Sequence, residues 1–340
     1  MRILAIETSC DETSVSVLEN GKKVLSNVIS SQIPIHAKYN GVVPELASRA
    51  HIQNVNIVLE QALVKAGISF EKFDKEIDYI TCTYGPGLAG SLLVGVMCAK
   101  TLAYLYNKPL IPINHIEGHI FSAAIENNNL KPPFLSLVIS GGHTELVIVK
   151  DYGKYQFLGG TRDDACGEAF DKAAKILGLS YPGGPIIDKL ANLGNSNAVN
   201  FTRPLLKGSW DFSFSGIKTA VLNYSKKVDV KNKNIVNDIC AGFRMAIAET
   251  LIYKTFEAAK KYSLNSIVLG GGVSCNSLIR NMFKKEGKKN KIKIFIPSPI
   301  YCTDNATMIA KVAYYKVLKK KLNSVNKNIS IKPSLELTNW

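Results

Sequence analysis

Ile6-Glu7-Thr8-Ser9-Cys10-Asp11-Glu12-Thr13 and Val138-Ile139-Ser140-Gly141-Gly142-His143-Thr144 are the stretches that decide the fold. Each marks a point where an apolar run turns back on itself. Residues 2–7 and 14–18 read as β-strands around a polar turn, and a third strand near 23–30 follows Asn20-Gly21. Residues 134–139 and 145–149 repeat the pattern, with a third strand over 155–158 after Asp151-Tyr152-Gly153. The two copies are offset by about 132 residues, which indicates duplicated lobes and not a solenoid.

Helical patterns follow each strand set. Residues 44–66 have helical periodicity, with Pro44 suited to a first turn and Gly67 just past the end. A buried-type strand over 79–83 runs into Tyr84-Gly85-Pro86-Gly87 and then a helix carrying Gly90, Gly95, Ala99 and Ala103. Those small residues allow close backbone approach and make the helix a candidate pairing surface for a related lobe. A strand over 110–113 delivers the chain to His115. In the second half, helices are expected over 164–178, 185–193, 215–226 and 236–262. A strand over 266–269 then ends in Gly270-Gly271-Gly272, with a helix from Asn276, a strand over 292–296 and a helix over 303–320 capped by Thr303. The expected organisation is a lobe over 1–130, a lobe over 131–302, and the 303–320 helix packing back on the first. The tail over 323–340 has no pattern and reads as loosely held.

At 340 residues with 46% apolar side chains, the chain can fill two cores. Its formal charge is +15, from 42 Lys+Arg against 27 Asp+Glu, which suits an anionic partner. The lysines cluster: Lys284, Lys285, Lys288, Lys289, Lys291 and Lys293 form one run, and Lys316, Lys319, Lys320 and Lys321 a second. Each run reads either as a nucleic-acid contact or as a solvated face. The seven cysteines include no Cys-x-x-Cys pair, which argues for free thiols and against a thiolate zinc site. The opening apolar run is too short for a signal peptide, and no stretch approaches a membrane span, so a soluble cytoplasmic protein is expected.

Chemistry is suggested first by Asn114-His115-Ile116-Glu117-Gly118-His119. On a helix, positions i and i+4 share a face, so His115 and His119 could hold one divalent metal. They could equally be surface or capping residues. A metal there needs a further ligand, most naturally a carboxylate from elsewhere in the chain. The hydroxyls and backbone N–H groups of the two hairpin turns could surround a phosphate. Gly270-Gly271-Gly272 before the helix at Asn276 suits an anion or a flat base, although it matches neither Gly-x-Gly-x-x-Gly nor a Walker A motif.

With these pieces assembled, the chain resembles the actin-like ATPase superfamily, and within it the bacterial TsaD family, formerly called O-sialoglycoprotein endopeptidase. The resemblance rests on Glu7–Thr13, Gly41–Arg49, Gly85-Pro86-Gly87, His115–His119, Ser140–Thr144 and Ala169-Phe170-Asp171-Lys172. Pro182–Pro185, Phe214–Lys218 and Thr303-Asp304-Asn305 complete it, over about residues 3–315. It implies two duplicated actin-like (ribonuclease H-like) α/β lobes with a cleft between them. The implied activity is transfer of a threonylcarbamoyl group from threonylcarbamoyl-AMP to N6 of the adenosine 3′ of the anticodon. The tRNAs concerned read codons that begin with A.

By the same resemblance, His115, His119 and Asp304 are ligands of one divalent metal per subunit, Fe2+ before Zn2+. Val138, Ile139, Ser140, Gly141, Gly142, Asp171, Gly184, Asp188 and Asn276 are the implied substrate-binding positions. A TsaB-like paralogue and a TsaE-like ATPase are the implied protein partners. Asp11 is the candidate for orienting substrate or accepting the N6 proton, with Glu12 as its alternative; either could instead stabilise the turn. His143 is a substrate contact or a turn residue.

Two rival readings come from other classes. A zinc protease uses His-Glu-x-x-His, whereas Glu117 lies two residues from each histidine, roughly 200° around a helix from either. An actin-like kinase or ATPase would use Mg2+ and needs no histidine pair.

Overall fold

A computed structural model describes residues 1–206, 208–320 and 329–340. The chain divides into two compact units. Unit 1 comprises Met1–Lys131, Tyr152–Lys154 and Thr303–Trp340; unit 2 comprises Pro132–Asp151 and Tyr155–Cys302. Lys321 of the second lysine run, and the part of the expected tail before Ile329, lie outside the described residues.

In unit 1, β1 (Arg2–Glu7), β2 (Glu12–Glu19) and β3 (Lys23–Ser31) are followed by α1 (Ile33–His36), α2 (Pro44–Ala66) and α3 (Phe73–Glu76). Then come β4 (Tyr79–Gly85), α4 (Ala89–Leu105), β5 (Leu110–Asn114) and α5 (His115–Phe121). In unit 2, β6 (Phe134–Ile139), β7 (Thr144–Asp151) and β8 (Lys154–Gly160) lead to α6 (Cys166–Ile176), α7 (Gly183–Ala191), α8 (Ser215–Ser225) and α9 (Lys233–Lys261). β9 (Ser266–Gly270), α10 (Ser277–Asn290), β10 (Lys293–Phe295) and α11 (Pro299–Cys302) complete it, and α12 (Ala306–Lys320) returns to unit 1.

The sheets have the same order. Unit 1 runs β3-β2-β1-β4-β5 and unit 2, read from its other edge, runs β8-β7-β6-β9-β10. In each, the first strand pairs antiparallel with the second and parallel with a strand that follows a long crossover. This is the duplicated α/β fold that the paired hairpins predict.

Strand alternation decides what each face meets. Leu4, Ile6, Val15 and Val17 enter a core completed by Val58, Leu59 and Leu63 of α2 and Val96, Ala99 and Ala103 of α4. The opposite face carries Ile3, Ala5, Glu7, Ser14 and Ser16, and it is buried too, because α12 packs on β1 and β2. A strand covered on both sides reads as a continuous apolar run, and β1 does so over its four central residues, Ile3-Leu4-Ala5-Ile6.

Two expectations need correction. Thr303 does not cap α12; the helix starts at Ala306, and Asn305 Oδ1 accepts from Met308 N at 3.1 Å. Ser14 Oγ, accepting from Ala306 N at 2.9 Å, fixes where the helix begins, and Asn305 is the residue that falls at the cap position. The described tail, Ile329–Trp340, is not loose: Lys332 N donates to Tyr84 O at 2.8 Å, Gly87 N to Pro333 O at 3.0 Å, and Asn114 Nδ2 to Glu336 O at 3.1 Å. The helix expected from Asn276 is α10, capped by Asn276, and a short 3-10 turn, Gly272–Cys275, separates it from the glycines after β9. Among the described residues, no helix is long and apolar enough to cross a membrane, and the seven cysteines are free thiols.

A candidate metal centre and the turns of unit 2

β5 ends at Asn114, whose side chain accepts from Ile116 N at 2.8 Å and so starts α5 at His115. One helical turn brings His115 and His119 together, ring centroids 4.7 Å apart and planes at 81°. Gly118 lies between them on the side facing α12, where a Cβ would press on Met308 and Ile309 at 2.9 Å. Its bare backbone therefore lets the first turn of α12 close on α5. The N-terminus of α12 is fixed from the other side by Ser14 Oγ, which accepts from Ala306 N at 2.9 Å, and by the Ser16–Thr307 hydroxyl pair at 2.8 Å. The turn before α12 thus holds Asp304 over the two imidazoles.

Asp304 Oδ1 lies 3.2 Å from His119 Nε2 and 3.5 Å from His115 Nε2. All three residues belong to unit 1, and their ligand atoms lie within 4.8 Å of one another. Donors about 2.1 Å from a common ion sit roughly 3.0–3.4 Å apart for 90–109° angles, close to the two carboxylate–imidazole separations. His119 is wholly buried, yet neither of its ring nitrogens has a hydrogen-bond partner among the described residues. Its approach to Asp304 is therefore close but not aligned as a hydrogen bond. Two lone-pair donors and a carboxylate converging in this way fit a bound cation better than they fit one another.

The electrostatics agree. Burial alone would depress both histidines. For His119 it prevails, and the ring is held below its ordinary value. For His115 the Asp304 and Glu7 carboxylates outweigh burial and lift the ring to about 9. Without a metal, then, these acidic groups draw a proton onto His115. Burial, then the carboxylates of Asp11 and Asp304, push Glu12 well above the usual carboxylate range. Asp11 and Glu12 lie where the first hairpin enters β2, and Asp11 O accepts from Gln32 N at 3.0 Å. His51 braces the same turn, bonding Thr13 Oγ1 at 2.8 Å and Cys10 O at 3.0 Å.

Glu117 is turned away from this cluster. Its Oε1 accepts from Trp340 Nε1, and Trp340 in turn stacks beneath Lys316 and Lys320. A carboxylate engaged there cannot activate a metal-bound nucleophile, which disfavours the protease arrangement. Of the second lysine run, Lys316 is half-buried by this packing, while Lys319 and Lys320 stay exposed.

In unit 2 the implied substrate positions gather at one end of the sheet. Ser140 N donates to His143 O at 2.8 Å, and His143 N to Ser140 Oγ at 3.0 Å, closing the turn around Gly141 and Gly142. A Cβ on either glycine would meet nothing within 4 Å, so their smoothness leaves the backbone open. The N-terminus of α6 abuts this turn, with Gly167 N donating to Ser140 O at 3.0 Å and Cys166 N to Thr144 Oγ1 at 2.8 Å. Val138 pairs with Gly270, and Gly271, at φ +88, touches the Ile139 backbone so closely that no side chain could be added. Asn276 is nearly buried as the α10 cap, its side chain accepting from Ile279 N at 3.2 Å.

Asp171 accepts from Gly183 N at 2.7 Å, at the start of the helix that carries Gly184. Asp188 is heavily committed: Oδ1 accepts from Arg244 at 2.6 Å and Ser277 Oγ at 3.0 Å, and Oδ2 from Ser277 N at 3.0 Å. Only one carboxylate lone pair in that set is left for a ligand. Sequence reasoning missed Arg244, because a lone arginine within a long helix carries no spacing signal. It also gave no role to Asp164, which claims Lys172 at 2.5 Å and Lys218 at 2.6 Å from two of the recognised motifs.

Residues 23–311 match the model of the family described as TsaD: tRNA N6-adenosine threonylcarbamoyltransferase. The chain belongs to the TsaD family. A TsaD relative from Endomicrobium trichonymphae, with the same description, is 65% identical over 340 residues, covering 100% of this chain and 99% of its own length. Another, from Clostridium perfringens (strain SM101 / Type A), is 52% identical over 337 residues, covering 98% of each. Among solved structures, HypF from T. kodakarensis aligns with a TM-score of 0.64 at 15% identity, over 94% of this chain and 48% of that one. That likeness speaks to the fold alone. The chain therefore combines TsaD sequence motifs with the duplicated α/β architecture and the His-His-Asp cluster.

Proposed function

We infer that the protein is a tRNA N6-adenosine threonylcarbamoyltransferase that moves the threonylcarbamoyl group of threonylcarbamoyl-AMP to N6 of the adenosine 3′ of the anticodon. The product is N6-threonylcarbamoyladenosine in tRNAs reading codons that begin with A. Membership of the TsaD family is the single observation that carries this reading.

In this reading His115, His119 and Asp304 hold one divalent ion, Fe2+ by the family resemblance with Zn2+ as the alternative, since two imidazoles with one carboxylate suit either. When bound, such an ion polarises the transferring carbonyl and neutralises the leaving phosphate. Gly141, Gly142 and Gly184 present open backbone to the adenylate, with Val138, Ile139 and Ser140 forming the strand end behind the first two, while Asp171, Asp188 and Asn276 orient its polar groups. Asp11 orients the acceptor or takes the N6 proton as the carbamoyl C–N bond forms and AMP departs, with Glu12 as the alternative group. The test is transfer of labelled threonine from threonylcarbamoyl-AMP to tRNA; casein cleavage without transfer would overturn the reading in favour of a protease.

A TsaB-like paralogue and a TsaE-like ATPase complete the proposal. Gly95, Ala99 and Ala103 are consumed inside unit 1, so the pairing surface we assign is the outer side of α4, where Leu93, Met97 and Tyr104 are 49%, 50% and 79% exposed. An apolar stripe left open on a helix is suited to a partner helix.

A further inference from the structure

Glu7 is a fully buried carboxylate at the end of β1, and the transfer chemistry above gives it no task. Because Leu4 and Ile6 face the α2–α4 core, alternation turns Glu7 to the other side, where α5 lies. Its Oε1 accepts from Ser9 N at 2.5 Å. Its Oε2 accepts from Thr83 Oγ1 and lies 3.2 Å from His115 Nδ1. Ser9 Oγ is 3.1 Å from the same ring nitrogen. The opposite edge of that ring, Nε2, is the one facing Asp304.

We propose that Glu7 is a positioning residue for the metal centre: it accepts from His115 Nδ1–H and thereby leaves the Nε2 lone pair for the ion. A carboxylate can only accept, so it dictates which ring nitrogen carries hydrogen; the Ser9 hydroxyl can donate or accept and dictates nothing. Carboxylates behind metal-bound histidines act in this way in general, fixing tautomer and ring orientation. Glu7 is itself locked, since Ser9 N and Thr83 Oγ1 hold both of its oxygens. The inference rests on the reading of His115, His119 and Asp304 as metal ligands.

Glu7→Gln is a pointed test because only one orientation of the amide fits. Ser9 N–H can only donate, so the amide oxygen must stay at the Oε1 position. The –NH2 group then faces His115 Nδ1, which must accept, and the ring hydrogen moves to Nε2, the wrong nitrogen for a ligand. The experiment is a titration of metal-free full-length protein with Co2+ against a competing chelator, read by the visible absorption of the bound ion. Glu7→Gln is expected to weaken Co2+ binding about 10–100-fold and to change the absorption band. Wild-type affinity and an unaltered band in Glu7→Gln would overturn the inference. If Glu7→Gln fails to fold, Ser9→Ala decides: unchanged affinity supports Glu7 as the orienting group, and a tenfold or greater loss transfers that role to Ser9 and overturns it. No difference in Co2+ uptake between wild type and Asp304→Ala would overturn the metal reading itself. Wild-type uptake with an indifferent Glu7→Gln overturns this inference alone.

Discussion

His119 Nε2 approaches Asp304 Oδ1 to 3.2 Å from within a fully buried ring, yet it makes no hydrogen bond there. Burying unpaired polar atoms costs stability, roughly 1–3 kcal/mol per group, and a cation bound by both residues removes that cost. The purified protein should therefore carry close to one equivalent of iron or zinc. His119→Ala and Asp304→Ala should lose most of it, as read by elemental analysis. Metal removal should also lower the melting temperature, since the ion binds the folded form preferentially.

Glu145, on β7, offers a pH test away from the metal. Burial pushes its carboxyl up to about 7, from an ordinary value of 4.5. The folded state thus binds a proton more tightly than the unfolded one, so stability falls as pH rises from about 4.5 to 7 and stays lower above that. Glu145→Gln should stabilise the protein by about 1–2 kcal/mol at pH 8, allowing for partial exposure, and by progressively less toward pH 5. Melting curves across that range check the sign; a gain that grows on acidification would contradict it.

The first lysine run lies on and just beyond α10, and all six side chains are exposed. Replacing Lys284, Lys285 and Lys288 with glutamate should weaken tRNA binding and lower its salt slope by about one for each lysine–phosphate pairing removed. Unchanged binding would make this run a solvated face. The second run is a poorer candidate, because Lys316 and Lys320 flank the Trp340 ring.

Met97→Glu should disrupt pairing with a TsaB-like paralogue while leaving the fold intact, because Met97 is half exposed on α4. Size-exclusion chromatography of the mixed proteins reads the outcome. Retained pairing would move the interface elsewhere.

Much of this architecture can be read directly from residue patterns, and the failures have physical causes. β1 and β6 announce themselves as apolar runs ending in polar turns, and their repetition gives both sheets. His115 and His119 are visible because helical spacing is short-range. Asp304 is not, since nothing local connects it to a helix so far back in the chain; the likeness to a family supplied it. Glu7 sits inside a recognised motif but carries no visible role in the sequence, because a carboxylate at a strand end ordinarily faces water. The fixed tail is hidden because, apart from the Trp340 indole, its anchors engage its backbone, as Lys332 N to Tyr84 O does, and leave no side-chain periodicity. Thr303 and Asn305 are both good caps, and only the register of α12 on β2 chooses between them.

The most direct measurement is threonylcarbamoyl transfer to tRNA by the purified protein with its partner proteins, comparing wild type with Asp304→Ala at saturating threonylcarbamoyl-AMP. Loss of a contribution of several kcal/mol corresponds to a rate at least about a hundredfold lower, and that is the predicted result. Transfer by Asp304→Ala at the wild-type rate would contradict the account.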